Sequence, residues 1–573
     1  MPTLAFARAL RNSLFALAVA LAATATADAL PRHHVIVASH KLATDAGLEM
    51  LRKGGSAVDA AVAAQAVMSL VEPQSSGIGG GTFLVLWNAK KKRVETYDGR
   101  ETAPASATPD MFMKDGKPMG YVEAVFGGRS VGVPGTIAVL ALAHKEHGRL
   151  PWTKLFDPAI ALAEKGFPVG PRLAAAIDRD PGLPLIPASA AYFRPNGKPP
   201  QVGDILKNPD YAATLREIAA KGPNAFYRGR IADAIVNAVT TAPQSAVNFT
   251  REDLAHYKPK KRPPVCGTYR AYKLCTMGPP SSGGITMLQS LKMMERFNVA
   301  KLEPAAAPSI HLMTEALRLA FADRGAYIAD PDFVAVPTQG LLGPRYLANR
   351  SRGLSLEGIV DRTKITPGRP AGATLILRQL SNPDRGRPGT AHVSIIDDQG
   401  NALAMTTTVE GPFGSHLMAA GFILNNQLTD FTFEPETDGH RTANAPQVGK
   451  RPMSSMTPTI IFDKKGNVFA VIGSPGGARI IPYVTKAVMG LIDWNMSMAD
   501  AVALPNATGR GPTTELEQTR TPEATVEALR TLGHDVKVTD YGISVSGLNS
   551  IRVTKQGFDA AADPRREGTV GGD

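Results

Sequence analysis

The sequence predicts a protein of the α+β class. Two β-rich runs, 388–397 and 401–415, are joined by residues 397–401, whose composition is typical of a turn, so this region is predicted to form a β-hairpin. Residues 43–70 instead repeat apolar side chains at helical spacing. With 573 residues, 43% of them apolar, the chain can bury a large core, and length alone suggests three or four domains.

The N-terminal helical region is predicted to contain two helices, because Gly54-Gly55 interrupts its apolar pattern. A glycine cluster, Gly77 to Gly81, then precedes the strand-like run Thr82 to Trp87. A phosphate-binding loop requires a helix N-terminus after its glycines, and a dinucleotide site requires G-x-G-x-x-G spacing. Both are missing here, so we expect a tight turn entering a core strand, and no cofactor.

Further helices are predicted in a Pro- and Ala-rich part of the chain, at 158–165, 208–221, 229–240 and 308–326. We expect these helices to form one outer layer against which the sheets pack. Residues 371–390 are rich in Gly, Pro, Arg and Ser, which predicts an exposed loop leading to Thr390.

The first 29 residues have the composition of a secretory signal peptide. Arg8 and Arg11 precede the apolar run 14–23, and small residues up to Ala29 offer cleavage sites. A membrane anchor is the competing interpretation, but spanning a bilayer takes about twenty apolar residues and this run is shorter. We therefore expect a periplasmic or secreted protein without a membrane anchor.

The net charge of +12 raises the question of nucleic-acid or acidic-membrane binding. Lys and Arg are scattered, however, and only 90–93 and 258–262 form short basic runs. Neither run carries the interleaved aromatic residues of a single-strand binder. These patterns favour solvated surfaces and no nucleic-acid partner.

Cys266 and Cys275 are the only cysteines, and each lies in a short β-prone run. A hairpin would bring the two sulfurs together, and an exported protein meets an oxidising compartment, so we predict a local disulfide. The alternatives are two reduced core cysteines or a metal pair. A second Cys or His pair with ligand spacing is missing nearby, so we expect no metal.

Thr390 follows Gly389 at the start of the first hairpin strand. A threonine hydroxyl is a poor nucleophile unless a base lies beside it, and a free α-amine on the same residue can supply that base. Freeing the amine requires cutting the chain before Thr390. Most single threonines are ordinary strand residues, so the surrounding sequence decides between the two interpretations.

Six motifs appear in a fixed order along the chain, beginning before and ending after Thr390. They are Glu72-Pro73-Gln74-Ser75-Ser76-Gly77, Asp98-Gly99-Arg100-Glu101-Thr102-Ala103-Pro104, Pro279-Pro280-Ser281-Ser282-Gly283-Gly284, Asn425-Asn426-Gln427-Leu428-Thr429-Asp430, Lys450-Arg451-Pro452-Met453-Ser454-Ser455 and Gly473-Ser474-Pro475-Gly476-Gly477. With them the chain resembles the γ-glutamyltranspeptidases, self-cleaving N-terminal-nucleophile hydrolases, from Ala38 to Arg566. The resemblance implies a single four-layer αββα sandwich formed jointly by two chains, a large subunit of residues 30–389 and a small subunit of residues 390–573.

The resemblance also implies the catalytic residues. Thr390 would attack the Gly389 carbonyl to cut the chain, and afterwards serve as nucleophile with its α-amine as base. The hydroxyl of Thr408 would orient it, although a solvent-facing β-threonine is the simpler alternative. Backbone amides of Gly476 and Gly477 would stabilise the oxyanion.

The substrate-binding residues follow from the same motifs. Arg100 would pair with the α-carboxylate of a γ-glutamyl group through its guanidinium, and Ser454 and Ser455 would add donors. Asp430 would accept the α-ammonium, with Gln427 and Glu410 beside it. Without the resemblance, Arg100 could be an ion pair with Glu101, and Asp430 a turn cap.

Several positions depart from the family pattern or invite another interpretation. Ala391 stands where members commonly carry a second Thr, and Glu410 where some carry Asn. The segment between Asp430 and Ser454, residues 431–453, is shorter than the corresponding segment of members whose lid covers the pocket. His392 suggests a catalytic triad, but an N-terminal amine makes an imidazole base unnecessary, so we expect a packing residue.

The expected activity is that of a γ-glutamyl hydrolase and transferase acting on glutathione-like donors, with water, amino acids or peptides as acceptors. An acylase that cuts glutaryl or other acyl amides of β-lactam nuclei is the alternative on the same scaffold. A non-catalytic periplasmic binding protein is the alternative from another class.

Overall fold

Two antiparallel β-sheets stack face to face and a layer of helices covers each outer surface. The computed structural model describes residues 30–373, 389–437, 439–540 and 545–573. The predicted signal peptide and most of the predicted 371–390 loop lie outside these residues. Within the described ranges, no helix combines the length and apolar character needed to cross a membrane.

The first sheet places the predicted hairpin at its centre. In spatial order its strands are Thr569–Gly572, Val35–Ala38, Ala391–Ile396, Ala402–Thr408, Gly81–Asn88, Arg93–Gly99 and Lys260–Arg262. Neighbouring strands are antiparallel, with Ala391 opposite Thr407 and Thr408 opposite Gly81. The hairpin and the strand after the glycine cluster are therefore confirmed, and they lie next to each other.

The second sheet contains the strands Phe558–Ala562, Asn549–Val553, Val468–Ile472, Thr459–Phe462, Tyr272–Thr276 and Val265–Tyr269. Its last two strands form a hairpin in which Cys266 lies opposite Cys275. The sulfurs of these two residues are bonded. The predicted disulfide is confirmed.

Alternating side chains of the first sheet enter two different cores. Ile36 and Leu84 pack with the helices Lys41–Arg52 and Ala57–Val71 on the outer face. Val37 and Phe83 point the other way, toward the second sheet. Strand residues alternate between faces, so a strand buried on both sides reads as a continuous apolar run.

The outer layers are built from helices that differ in sequence position. Beside the first sheet lie Thr136–His147, Asp157–Lys165, Pro171–Arg179, Pro187–Phe193, Pro209–Lys221 and Arg230–Thr240. Beside the second sheet lie Gly283–Met294, Ala307–Tyr327, Ile480–Ile492, Met498–Ala503 and Glu523–Thr531. The prediction of one outer layer was wrong for 308–326, because that segment packs against the second sheet.

Candidate active site

The hydroxyls of Thr390 and Thr408 meet at the end of the hairpin. Thr390 precedes the Ala391–Ile396 strand, and its Oγ1 lies 3.0 Å from Oγ1 of Thr408. The Thr408 hydroxyl also accepts the backbone N–H of Glu410 at 2.8 Å. Both threonines are buried, with 4% and 2% of their surface exposed. The arrangement holds the Thr390 hydroxyl in one orientation, away from bulk water.

The peptide before Thr390 is strained and tightly enclosed. Thr390 has φ = +131°, a region that β-branched residues avoid and that costs of the order of 1–3 kcal/mol. The N–H of Gly389 donates to the Glu410 carbonyl at 2.7 Å. A Cβ on Gly389 would lie 2.7 Å from that oxygen and 2.9 Å from the carbonyl oxygen of Gln74. Only glycine fits here, and the strain falls on the junction that the sequence marks for cleavage.

Arg566 holds the other side of Thr390 and was missed as a site residue. Its Nη1 donates to the Thr390 carbonyl at 2.9 Å, while Nε and Nη2 donate to the Val545 carbonyl at 3.0 and 2.6 Å. Burial and nearby Arg172 lower the pKa of Arg566, with Glu72 opposing the shift. An arginine near the end of the chain carries no local pattern that points to Thr390.

The glycine pair 476–477 forms a sharp turn between the Val468–Ile472 strand and the Ile480–Ile492 helix. Gly476 has φ = +135° and Gly477 has φ = +58°. A Cβ on Gly476 would lie 2.5 Å from the Tyr483 ring. Amide groups of such a turn precede a helix, where N–H groups lack internal partners.

Two close approaches connect the surroundings of this turn with those of Thr390. Gly473, where the turn begins, lies against the ring of His392, two residues after Thr390. A Cβ added to Gly473 would lie only 2.2 Å from that ring. At Gly547, a Cβ would meet both Pro475 at 2.9 Å and the Arg566 side chain at 2.6 Å. Gly547 therefore lies close both to the turn and to the arginine that binds the Thr390 carbonyl.

His392 is a packing residue, as expected from the sequence. Its Nδ1 lies 2.8 Å from the Thr406 hydroxyl and its Nε2 lies 3.1 Å from the Ser394 hydroxyl. Complete burial lowers the pKa of His392 to about 3. Both ring nitrogens are engaged, so the imidazole is not arranged as a base for Thr390.

Arg100 is buried and binds three partners. Its Nη2 donates to Asp430 Oδ2 at 2.5 Å and to the Met453 carbonyl at 2.9 Å, and its Nε donates to the Pro452 carbonyl at 3.1 Å. Burial lowers the pKa of Arg100, while the charges of Glu101 and Glu410 oppose that shift. The guanidinium thus joins Asp430 to the segment that leads into Ser454.

The turn Gln427–Asp430 brings two predicted acceptors together. Gln427 Nε2 donates to Asp430 Oδ2 at 2.6 Å, the same oxygen that Arg100 binds. Asn444, which the sequence did not single out, donates to the Asp430 carbonyl at 2.7 Å and accepts the Met453 N–H at 2.9 Å. Asn444 therefore ties this turn to the serine segment.

Ser454 and Ser455 lie on a buried segment against the Pro279–Gly284 motif. The Ser454 N–H donates to the Pro280 carbonyl at 3.0 Å, and its Oγ accepts the Met456 N–H at 3.1 Å. Arg324 donates to Ser455 Oγ at 2.8 Å. The structure thus brings both serines near Arg100, with their hydroxyls already engaged by the protein.

Glu410 connects the hairpin to Tyr121 and to Asn426, the residue before the Gln427–Asp430 turn. Its Oε2 accepts from the Tyr121 hydroxyl at 2.7 Å and from Asn426 Nδ2 at 2.6 Å. Its backbone has φ = +80° and binds both Gly389 and the Thr408 hydroxyl. Sequence reasoning missed Tyr121, which lies in no recognisable motif.

Glu101, the residue after Arg100, is a further carboxyl group beside the predicted donor site, to which the sequence assigned no substrate role. It is fully buried, and its Oε2 lies 3.8 Å from Arg100 Nη1. Burial raises the pKa of Glu101 to about 7, against the opposing charge of Arg100. The Glu101 carboxyl lies against Gly81, which pairs with Thr408 of the neighbouring strand. The site therefore contains a carboxyl group that titrates near neutral pH.

Among the described residues, Glu95, Glu146 and His147 form one group whose ligand atoms are close enough for a metal ion. The ammonium of Lys261 binds Glu95 at 2.9 Å and Glu146 at 2.6 Å. A lysine therefore supplies the positive charge that these carboxylates need.

Comparison with known proteins gives consistent matches over nearly the whole chain. The family model for gamma-glutamyltranspeptidase matches residues 43–572. A glutathione hydrolase proenzyme of Bacillus subtilis strain 168 is 36% identical over 543 residues, covering 94% of this chain and 91% of the relative. Another, from Escherichia coli K12, is 36% identical over 536 residues, covering 91% of this chain and 89% of the relative.

Among solved structures, a cephalosporin acylase from Bacillus halodurans matches with a TM-score of 0.81 at 26% identity. The match covers 95% of this chain and 96% of the acylase. The predicted four-layer fold of the N-terminal-nucleophile hydrolases is confirmed by this neighbour and by the stacked sheets. By its family match and its relatives, the chain belongs to the gamma-glutamyltranspeptidase family.

Proposed function

We propose that this protein cuts itself between Gly389 and Thr390 and then transfers γ-glutamyl groups from glutathione and related donors to water, amino acids or peptides. The observation that carries the proposal is the buried pair of hydroxyls at Thr390 and Thr408, placed directly after a strained peptide. The proenzyme names of the relatives support self-cleavage. The products would be a large chain of residues 30–389 and a small chain of residues 390–573.

In the processing step, Thr390 Oγ1 attacks the Gly389 carbonyl carbon. The bond between the Gly389 carbonyl carbon and the Thr390 nitrogen breaks, that nitrogen takes the proton of the Thr390 hydroxyl, and an ester joins the two residues. Water then hydrolyses the ester, leaving a carboxylate on Gly389 and a free amine and hydroxyl on Thr390. Relief of the φ = +131° strain favours this direction.

In the catalytic cycle, the α-amine of Thr390 takes the hydroxyl proton, since an unperturbed α-amine has a pKa near 8. Oγ1 attacks the γ-carbonyl carbon of the donor, and amides of Gly476 and Gly477 stabilise the oxyanion. The leaving amine takes the proton and a γ-glutamyl ester remains. Water or an acceptor amine attacks this ester, giving glutamate or a new γ-glutamyl amide.

We assign donor binding to Arg100 and the polar residues around it. The guanidinium receives the α-carboxylate, with donors from Ser454 and Ser455. Asp430, Gln427 and Glu410 receive the α-ammonium. The proximity of Arg100, Asp430 and the serine segment supports this assignment, because both ends of an amino acid need partners a few ångströms apart.

An acylase acting on glutaryl amides of β-lactam nuclei is the second candidate, because a cephalosporin acylase shares the fold over nearly the whole chain. Such donors lack the α-amine, so they give Asp430 and Glu410 no role. The acidic residues beside Arg100 therefore favour γ-glutamyl donors. We also propose export from the cytoplasm, on the composition of residues 1–29.

Purified protein tests the proposal directly. A denaturing gel should show two bands, and N-terminal sequencing of the smaller chain should begin at Thr390. The same preparation should release p-nitroaniline from γ-glutamyl-p-nitroanilide, faster when an acceptor dipeptide is added. A single intact band without this activity would refute the proposal and leave a binding protein.

A further inference from the structure

The segment between the Arg93–Gly99 strand and the Thr136–His147 helix covers the turn that carries Asp430. This segment and residues 428–433 together form a small apolar cluster, separate from the two main cores. Its buried members are Ala103, Ala107, Phe112, Met119, Ala124, Leu428, Phe431 and Phe433. The rings of Phe112 and Phe433 stack with centroids 4.7 Å apart. Residues before the proposed cut thus fix the position of residues after it.

Tyr121 packs against this cluster while its hydroxyl points at Glu410. The O–H donates to Glu410 Oε2 at 2.7 Å, and Asn426 Nδ2 reaches the same oxygen at 2.6 Å. Glu410 is only 7% exposed, so its carboxylate depends on donors from the protein. Two donors on one oxygen fix both the rotamer and the direction of the charge.

The backbone of Glu410 is fixed just as firmly. Its N–H binds the Thr408 hydroxyl at 2.8 Å, one hydrogen bond from Thr390. The charge of Glu410 is felt by both Arg100 and Glu101. Glu410 is therefore linked to Thr390 through its backbone and acts by its charge on Arg100, which makes its carboxylate a suitable partner for an α-ammonium bound between those two residues.

We propose that Tyr121 is a positioning residue that sets donor preference by holding the Glu410 carboxylate where the α-ammonium of a γ-glutamyl donor binds. The inference rests on the proposed function. A glutaryl donor has no ammonium, so the position of Glu410 affects it little. Tyr121 therefore acts on the choice between the two donors, and its contact bridges the two chains of the processed enzyme.

The test is Tyr121→Phe, which keeps the ring in the apolar cluster and removes one hydrogen bond. We expect the KM for γ-glutamyl-p-nitroanilide to rise about three- to tenfold, the range of a typical intramolecular hydrogen bond, because Asn426 still donates to the same oxygen, with kcat within about twofold. The KM for glutaryl-p-nitroanilide should stay within about twofold. Val122→Ala is the matched control, since Val122 is the next residue of the same short helix and is 65% exposed.

A double-mutant cycle with Glu410→Gln separates positioning from general damage. If Tyr121 acts through Glu410, the second substitution should absorb most of the effect of the first. An equal KM increase for both donors in Tyr121→Phe, or an undiminished effect in the Glu410→Gln background, would overturn the inference while the proposed function stands. A wild-type enzyme inactive on γ-glutamyl-p-nitroanilide would overturn both.

Discussion

Arg100 Nη2 donates to Asp430 Oδ2 at 2.5 Å, so the groups assigned to the two ends of an amino-acid donor bind each other. Arg100 is almost completely buried, and isolated buried charge is costly, so the pair stabilises both groups. A bound donor would bring its negative carboxylate to Arg100 and its positive ammonium to Asp430. Donor binding therefore exchanges one ionic partner for another at each residue, and a change at either residue affects both.

Arg100→Lys keeps the positive charge but loses the planar fork that reaches Asp430, Pro452 and Met453. We expect KM for γ-glutamyl-p-nitroanilide to rise about 10- to 100-fold, as for the loss of hydrogen bonds between charged groups, while processing continues. Arg93→Lys, at the exposed start of the strand that ends just before Arg100, is the control. An unchanged KM would remove Arg100 from the donor site.

The contrast between sequence and structure has a physical basis. The strands around Thr390 and Cys266 were predictable because alternation and turn composition are local. The helix Ala307–Tyr327 was placed in the wrong layer, because its outward and inward faces are both largely buried and periodicity does not say which sheet it meets. Layer assignment depends on contacts between residues far apart in sequence.

The same distinction applies to the site. Arg100 and Asp430 belong to motifs that the resemblance carries. Tyr121 lies in none of these motifs and Arg566 only at the end of the resemblance, and their roles depend on hydrogen bonds to Glu410 and Thr390 across 289 and 176 residues. Glu101 was visible in its motif, but its near-neutral pKa comes from burial, which the sequence does not specify at one position.

Thr390→Ala removes the attacking hydroxyl, so we expect a single band near the 60.6 kDa of the full chain, or slightly below it after signal removal, and no activity. Thr390→Ser keeps the hydroxyl and should cleave and turn over, but more slowly, because it lacks the methyl group that restricts the rotamer. A time course on denaturing gels measures both. Normal two-band processing of Thr390→Ala would exclude this residue as the nucleophile.

Gly476→Ala should distort the turn to which we assign the oxyanion amides. The added Cβ would lie 2.5 Å from the Tyr483 ring at a φ of +135°, so the turn has to move. Losing one oxyanion donor costs about 10²- to 10³-fold in kcat, with a smaller change in KM. Gly466→Ala is the control, since Gly466 also has positive φ, +84°, but no atom within 4 Å of its Cβ position. Similar kinetics in both variants would count against an oxyanion role.

Arg566→Lys tests the contact with the Thr390 carbonyl. Lysine keeps a charge but not the three donors that bind Thr390 and Val545, so the strained peptide is held less firmly. We expect self-cleavage to slow about tenfold or more, the equivalent of about 1.4 kcal/mol lost from one charged hydrogen bond. Arg552→Lys, which changes an arginine paired with Asp559, should process at the wild-type rate. Equal rates in the two variants would make Arg566 a packing residue only.

Donor choice separates the two enzymatic functions. γ-Glutamyl and glutaryl donors differ in the α-amine assigned to Asp430, Gln427 and Glu410. A glutaryl amide pairs with the Arg100 guanidinium but brings no cation to Asp430, so a partly buried carboxylate exchanges an ionic partner for the amide of Gln427 alone among these groups, at a cost of about 1–3 kcal/mol. The ratio of kcat/KM should therefore favour γ-glutamyl-p-nitroanilide over glutaryl-p-nitroanilide by roughly tenfold to a few hundredfold.

Asp430→Asn should collapse that ratio, mainly through loss of the γ-glutamyl donor, because the amide binds an ammonium weakly and removes the nearest ionic partner of Arg100. Asp398→Asn, at the exposed turn of the central hairpin, is the matched control and should keep the wild-type ratio. Paired kcat/KM values for both donors in all three proteins decide the question. Equal rates in the wild type, or a glutaryl preference, would assign this protein to the acylases and leave Thr390 as the nucleophile.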